Sequence, residues 1–194
     1  MPQYLVRPTI YRKDYESLFG PVKIIDFGQS FMSHDTPDEF HNPVPLRPPE
    51  VIFKDKADNR MDLWSMGCMV PYRVTTPFDP YFESQISSLG NQMLEHTGDR
   101  MPDRWQKEWQ VMDTARRVEL EKWYVEIATP PFEEPLHTLQ TWLENIHLDE
   151  ERKQDLSRND IQQVGELVRG ILRLEPTARA SARDIVQDPW FHED

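Results

Sequence analysis

The clearest pattern in the chain is an apolar stripe near its C-terminus. Apolar residues recur there at spacings of three and four, the periodicity of a helix face that packs on a core: Ile161, Val164, Leu167, Val168, Ile171, Leu172 and Leu174. We therefore predict a core-facing helix in this segment. Further along, Ser181 and Asp184 match a capping box and predict the start of another helix. Pro189 is expected to end that helix before Trp190 and Phe191.

Weaker patterns predict two earlier helices. The first begins at an N-cap, Asp58 or Asn59, and carries four largely apolar residues: Met61, Trp64, Met66 and Cys68. Pro71 predicts that this helix kinks or stops near Val70. The second helix spans residues 82–96 and has apolar residues at helical spacing: Phe82, Ile86, Leu89, Met93 and Leu94.

The other segments are predicted to be extended or irregular. Residues 1–20 show little periodicity and are interpreted as an extended lead-in. The β-branched run from Val22 to Ile25 is typical of a short strand, which would end at Asp26. Residues 110–158 are highly charged and are interrupted by prolines, so we expect a charged insertion on the surface. The fold is therefore predicted to be mainly α, with a short β segment around Asp26.

The composition restricts the class of protein. A chain of 194 residues is long enough for one ordinary domain with a sizeable core. The net charge of -12 argues against binding to nucleic acid or to an anionic membrane. The single cysteine, Cys68, excludes an intrachain disulfide and fits a reducing compartment. No run approaches the ~20 apolar residues of a membrane span. We expect an intracellular protein, cytoplasmic or nuclear.

Four motifs occur in a fixed order along the chain. They are Val22-Lys23-Ile24-Ile25-Asp26-Phe27-Gly28, then Pro48-Pro49-Glu50, then Asp62-Leu63-Trp64-Ser65-Met66-Gly67-Cys68, and finally Leu174-Glu175-Pro176-Thr177-Ala178-Arg179-Ala180-Ser181-Ala182. In this order they resemble the C-terminal, large lobe of a eukaryotic-type Ser/Thr protein kinase. The variant Arg47-Pro48-Pro49-Glu50-Val51, with the later insertion and the Trp-rich segment, is most similar to fungal kinases of the SR-protein-kinase type.

The resemblance implies a domain organisation. Residues 21–194 would form a partial kinase domain, with an activation segment over 26–50. The helical lobe would follow over 51–194 and would include the charged insertion at about 110–158. The N-terminal lobe and the catalytic loop of the family have no counterpart in the sequence.

The resemblance also implies a cofactor site at Asp26, Phe27 and Gly28. In the family, the aspartate holds the Mg²⁺ that bridges the β- and γ-phosphates of ATP. The alternative for Asp26 is a loop aspartate that caps a turn. Phe27 would pack against a helix of the N-terminal lobe. Without that lobe, Phe27 either finds another contact or stays exposed, and if exposed it would contribute to an apolar patch.

Two further acidic residues have structural roles in the family. Glu50 is expected to form a buried ion pair with Arg179, tying the activation segment to the last helices, and two solvated charges are the alternative. In the family, Asp62 accepts hydrogen bonds from the backbone of the catalytic loop. Without that loop, Asp62 would serve as an acid at the N-terminus of its helix.

No catalytic residue is assigned. The family pattern His-Arg-Asp-x-Lys-x-x-Asn, whose aspartate accepts the substrate proton, is not found in residues 1–25, and neither are the glycine-rich loop and the strand lysine. Asp14 is the only aspartate before Asp26 and is interpreted as a surface charge. His147-Leu148-Asp149 resembles part of the pattern but follows Asp26. Where Ser/Thr kinases carry a threonine, the chain has His41-Asn42-Pro43-Val44-Pro45.

Two functions therefore remain open, besides an unrelated helical domain with chance motifs. The first is a partial domain of a kinase family that transfers the γ-phosphate of ATP to protein Ser/Thr, inactive as this chain alone. The second is a kinase-derived scaffold or regulatory module that binds protein partners through residues 82–158. ATP and Mg²⁺ are the cofactors that the resemblance implies. A protein substrate or partner is expected in either case, and the oligomeric state stays open.

Overall fold

A computed structural model of the chain describes residues 23–69, 76–78, 86–127, 138–148 and 156–192. The chain forms two compact units, Met1–Ser30 and Phe31–Asp194. The described residues are mainly helical and include no strand. The described helices, all in the second unit, are α1 (Pro49–Ile52), α2 (Arg60–Met69), α3 (Ile86–Thr97), α4 (Gln106–Ile127), α5 (Leu139–His147), α6 (Arg158–Ile171) and α7 (Ala182–Val186). None of them is long and apolar enough to cross a membrane.

In the first unit, residues 23–26 do not form the strand that the sequence predicted. They have no regular secondary structure, and Ile24 and Ile25 are exposed. A strand is stabilised by hydrogen bonds to a neighbouring strand, and the described part of the chain contains none. The run also ends in a left-handed backbone at Asp26, with φ 68°, which is incompatible with an extended strand. Val22 and the expected lead-in over residues 1–20 lie outside the described residues.

The core of the second unit lies where α2 packs against α6. All seven residues of the predicted apolar stripe are buried. From α2, Trp64 and Cys68 are fully buried in the same cluster as Val168 and Leu172. Helix α6 ends at Ile171, and its apolar stripe faces the core as its periodicity predicted.

Capping boxes fix the N-termini of the last two helices, α6 and α7. The predicted box at α7 is confirmed, because the Ser181 N–H donates to Asp184 Oδ2 (2.9 Å) and the Asp184 N–H donates to Ser181 Oγ (3.2 Å). Helix α7 ends before Pro189, which begins a single 3₁₀ turn. A second capping box, formed by Ser157 and Asp160, begins α6 and was not predicted.

The two earlier helices also form. Asp58 Oδ1 accepts from the Arg60 N–H (2.9 Å) where α2 begins, in agreement with the predicted start. The predicted stop near Val70 lies outside the described residues. Helix α3 covers residues 86–96 of the predicted segment 82–96, and its Leu89 and Met93 are buried; residues 82–85 lie outside the described residues.

Residues 139–148 belong to the core rather than to a surface insertion. Leu139 and Leu143 on α5 are fully buried in the cluster that contains Trp64. The Thr138 side chain caps the helix by accepting from the Thr141 N–H (3.2 Å). The burial of α5 was missed because the charged character of residues 110–158 as a whole was given more weight than the helical spacing of Leu139, Trp142, Leu143 and Ile146.

Candidate functional site

The site that the sequence predicted begins at a sharp backbone bend. Asp26 has a left-handed conformation (φ 68°, ψ 54°), which aspartate tolerates better than most residues. A single 3₁₀ turn, Phe27–Gln29, follows it. Ser30 closes this turn, since its N–H (3.1 Å) and its hydroxyl (2.6 Å) both donate to the Phe27 carbonyl. The bend and the closed turn together fix the backbone from which the Asp26 side chain projects.

The carboxylate of Asp26 is exposed, and it has no hydrogen-bond or ion-pair partner among the described residues. It makes no cap hydrogen bond to the turn that follows, so the alternative of a turn-capping aspartate is not what the structure shows. A Cβ atom built at Gly28 would lie 3.8 Å from Asp26 Oδ1, an ordinary van der Waals contact, so residue 28 lies directly beside the carboxylate. Phe27 is 65% exposed, which is one of the two outcomes expected for it without the N-terminal lobe.

The side chains available near Asp26 restrict how Mg²⁺ could be bound there. Within the described ranges, no group of three or more His, Cys, Asp or Glu side chains is arranged to hold a metal ion. A metal cage made of protein ligands alone is therefore not supported there. One open carboxylate fits the way Mg²⁺ is usually held beside a nucleotide, by one or two carboxylates together with phosphate oxygens and water. Asp26 would be the protein's ligand in such a site.

The predicted pair of Glu50 and Arg179 is confirmed. The guanidinium and the carboxylate form two parallel hydrogen bonds, Nη1–Oε1 at 2.7 Å and Nη2–Oε2 at 2.6 Å. Both side chains are fully buried, which excludes the alternative of two solvated charges. Arg179 also donates to the carbonyls of Arg60 (2.8 Å) and Arg173 (2.9 Å). The pair thus connects α1, α2 and the segment that follows α6.

An aromatic stack supports this ion pair. The Arg179 guanidinium lies 5.2 Å from the centroid of the Trp64 ring, within the range of a cation–π contact. Trp64 stacks in turn on Phe78 at 5.5 Å. The tryptophan of the third motif therefore packs directly against the arginine of the fourth.

Asp62 occupies the first turn of α2 and is exposed. In that position a carboxylate interacts favourably with the positive end of the helix dipole. This is the role expected of Asp62 in the absence of a catalytic loop.

The segment before α1 is fixed by two hydrogen bonds that the sequence did not reveal. The Ser65 hydroxyl on α2 donates to the Leu46 carbonyl (3.0 Å), and within the segment Arg47 Nη2 donates to the Asn42 carbonyl (3.0 Å). A 3₁₀ turn, Val44–Leu46, lies between these two contacts. The residues that stand where a threonine was expected are therefore in a defined conformation.

A second ion-pair network, also missed by the sequence analysis, surrounds Arg104. Its Nε donates to Asp55 (2.5 Å) and its Nη1 to Glu175 (2.5 Å), while the Trp105 indole N–H donates to Asp55 (2.9 Å). Burial alone would raise the pKa of Asp55, but the hydrogen bonds from Arg104, Lys56 and Trp105 outweigh it and lower the pKa. The hydrogen bond from Arg104 also lowers the pKa of Glu175. No local pattern announces this network, because its members are distant in sequence.

Comparison with known proteins identifies one family. The family model described as "Protein kinase domain" matches residues 11–191. A search of curated proteins finds no match to the chain.

Proposed function

Since the chain belongs to the protein kinase family, we propose that it forms the large lobe of a kinase that phosphorylates Ser or Thr residues of proteins. In this proposal, ATP is bound with Mg²⁺ beside Asp26, Phe27 and Gly28. The observation that carries the proposal is the exposed carboxylate of Asp26, without a partner among the described residues, in the motif where the family binds its metal. Similarity to the SR-protein-kinase type is part of the proposal and rests on the sequence from Arg47 to Val51.

Each of the three residues has a distinct role in this proposal. Bound Mg²⁺ would supply charge neutralisation at the transferred phosphate. Asp26 would fix the position of the ion, and the bend at its own backbone would direct the carboxylate. Gly28, directly beside that carboxylate, would place no side chain next to the nucleotide phosphates. Phe27 would give an apolar contact to the structure that covers the nucleotide.

We further propose that the residues of this sequence do not complete a catalytic site by themselves. Asp14, the only aspartate before Asp26, lacks the histidine, lysine and asparagine that surround the catalytic aspartate in the family. Without a residue to accept the proton of the substrate hydroxyl, a positioned nucleotide is not sufficient for phosphoryl transfer. The 194-residue chain is therefore expected to be inactive.

The experiment compares two forms of the protein. The endogenous protein is captured with an antibody against residues 110–158, its intact mass is measured, and transfer of phosphate from labelled ATP to protein is assayed. We expect a species heavier than 23.1 kDa to transfer phosphate and the 194-residue chain to be inactive. Substitution Asp26→Asn in the active species should lower the rate at least ~100-fold, since the charge contribution of the metal site is worth several kcal/mol.

The other outcomes are equally informative. Transfer by the 194-residue chain that Asp26→Asn abolishes would contradict the inactivity but retain the kinase assignment. Activity that survives Asp26→Asn would come from a contaminant or from another site. Absence of transfer in every species would favour the second candidate, a scaffold.

One observation favours that second candidate. Three valines on α4, each seven residues from the next, are 67%, 45% and 80% exposed: Val111, Val118 and Val125. Valine has a slightly lower helix propensity than alanine or leucine, and an exposed valine side chain contributes no burial energy to the fold. Such a stripe is typical of a helix face that contacts a partner, and it lies within the segment 82–158 considered for that role.

A further inference from the structure

A cleft of about 690 Å³ lies in the second unit, between residues 36–41 and the loop that follows α1. Its volume is within the range of ligand-binding sites, roughly 300–1,000 Å³. Phe40, Val51 and Ile52 contribute apolar surface to it. None of the described residues of the Asp26 motif is among the residues that line this cleft.

Lys54, which lines the cleft, adopts a backbone conformation that favours glycine. Its φ is 53°, and it directly follows Phe53, the C-cap residue of α1. Helices often end with a left-handed residue at this position, and that residue is usually glycine because a Cβ atom is strained there. Within the described part of the chain, the Lys54 side chain forms no ion pair and no hydrogen bond, and it is exposed. No contact of the Lys54 side chain with the described residues therefore compensates for the strain of having lysine rather than glycine at this position.

Two more uncommitted cations line the same cleft. Lys56 is exposed and has no acidic partner among the described residues. Arg47 uses Nη2 for the Asn42 carbonyl, and its Nε is buried without a hydrogen-bond partner, so most of its donors are uncommitted. Because Nε is closed off from solvent, an anion in the cleft would be met by the terminal Nη1 and Nη2 groups of Arg47.

The acidic residues of the cleft do not neutralise this group. The Asp55 carboxylate is bound to Arg104 and Trp105. Asp38 and Glu39 are exposed on the facing segment and form no ion pair within the described ranges. Among the described residues, the lining thus carries three cations without an acidic partner, all within residues 47–56, and two unpaired carboxylates within residues 38–39.

We propose that this cleft binds an acidic segment of a partner protein. An anionic side chain, carboxylate or phosphomonoester, pairs with Lys54, Lys56 and Arg47, and the peptide lies over Phe40 and Val51. Arginine and lysine both recognise these anions, arginine through its planar fork of donors. The proposal goes beyond the kinase assignment, since this binding requires neither ATP nor Asp26.

The test measures the affinity of the full chain for three fluorescein-labelled nonapeptides by fluorescence anisotropy, without ATP. The peptides share a Gly-Ser background and carry Glu-Glu, phosphothreonine or Lys-Lys at the centre. We expect the two anionic peptides to bind and the Lys-Lys peptide not to bind, with affinities that fall as salt is raised. The tighter of the two anionic peptides identifies the preferred anion.

Three variants separate binding from folding. Lys54→Gly should weaken binding of the anionic peptide about tenfold, while the melting temperature stays the same or rises because the backbone strain is removed. Lys56→Ala should also weaken binding, whereas Lys122→Ala on α4, with the same change in net charge, should not. Neutralising the unpaired carboxylates with Asp38→Asn and Glu39→Gln should strengthen binding.

The proposal is overturned by either of two results. One is equal binding of the anionic and the Lys-Lys peptides, or binding of none of them. The other is Lys54→Gly protein that binds the anionic peptides as tightly as the unsubstituted chain.

Discussion

The ion pair of Glu50 and Arg179 shows how much a single buried contact can constrain this chain. Two buried charges are costly to desolvate, and the cost is recovered only when the geometry is good and the remaining donors are satisfied. Both conditions hold here, because the pair is bidentate and Arg179 also reaches the carbonyls of Arg60 and Arg173. The arginine therefore has two acceptors, Glu50 and the Arg60 carbonyl, at least 119 residues before it, and a third, the Arg173 carbonyl, close to it in sequence.

Substitution Glu50→Gln is expected to lower the free energy of unfolding by about 3–5 kcal/mol, because it leaves the Arg179 charge buried without a counter-ion. Urea denaturation followed by circular dichroism measures the change. Arg183→Met on α7 removes an exposed arginine and should change stability by less than about 0.5 kcal/mol. A Glu50→Gln chain as stable as the Arg183→Met chain would show that the pair contributes little.

Single residues also show what the sequence could and could not predict. Glu50 and Arg179 were paired in advance, because each stands in a recognisable motif. The cations at Arg47, Lys54 and Lys56 were not grouped, because a cleft wall of loop residues has no periodicity. The left-handed backbone of Lys54 was hidden as well, since lysine carries no sequence signal for such a conformation.

At the scale of elements, the accuracy of the predictions depends on the weight given to the apolar pattern. Helix α6 was predicted because its face is continuous and its neighbours are polar. Helix α5 was assigned to the surface because residues 110–158 were interpreted as one charged insertion, although Leu139, Trp142, Leu143 and Ile146 lie at helical spacing. Burial of α5 depends on the helices that surround it, and these contacts cannot be read from a local segment.

The contact between α2 and α6 depends on the absence of a side chain at Gly67. A Cβ atom there would lie 2.9 Å from Ile171 Cγ2 and 2.9 Å from Leu172 Cδ2. Gly67→Ala should therefore lower the free energy of unfolding by about 1–2 kcal/mol, as the overlap outweighs the gain in helix propensity. Gly170→Ala is the matched control, since its Cβ atom would meet only Ala180 at 3.8 Å, and it should stabilise the chain by about 0.5–1 kcal/mol. Thermal denaturation of both variants measures the two changes in stability. If both substitutions stabilised the chain, or both destabilised it, the role given to Gly67 would be contradicted.

The network around Arg104 predicts a pH dependence of stability. The pKa values of Asp55 and Glu175 are both lowered in the folded chain from ordinary values of 3.8 and 4.5. Lowered pKa values mean that the stabilisation is present above about pH 5 and is lost as the carboxylates become protonated at lower pH. Arg104→Met should thus destabilise the chain by about 1 kcal/mol at neutral pH, since all three side chains are partly exposed.

Urea denaturation between pH 7 and pH 3 tests this dependence. The difference in the free energy of unfolding between the unsubstituted chain and Arg104→Met should become smaller as the pH falls. Arg100→Met is the control, because Arg100 and its partner Asp103 are almost fully exposed. That substitution should have little effect at either pH. A cost of Arg104→Met that is the same at both pH values would contradict the network's role.

At the scale of the whole molecule, the chain carries 34 acidic against 22 basic residues. Its net charge of -12 gives a field that repels anions in general. The group of Arg47, Lys54 and Lys56 departs from this background, since none of the three is paired with an acidic side chain in the described ranges. An anionic partner would therefore be attracted at short range and repelled elsewhere, which favours one docking position over many.

The second unit should fold by itself. Both clusters of buried apolar residues lie within residues 31–194, as do the Glu50–Arg179 pair and the Arg104 network. A chain of residues 31–194 is therefore expected to unfold in a single cooperative transition when its circular dichroism is followed with temperature. It should keep the acidic-peptide binding proposed for the cleft, because the lining residues of the cleft lie within this range. Since this shorter chain lacks Asp26, its binding would also show that the metal-site residue is not needed. A broad, non-cooperative transition would show that residues 1–30 supply contacts that this unit needs.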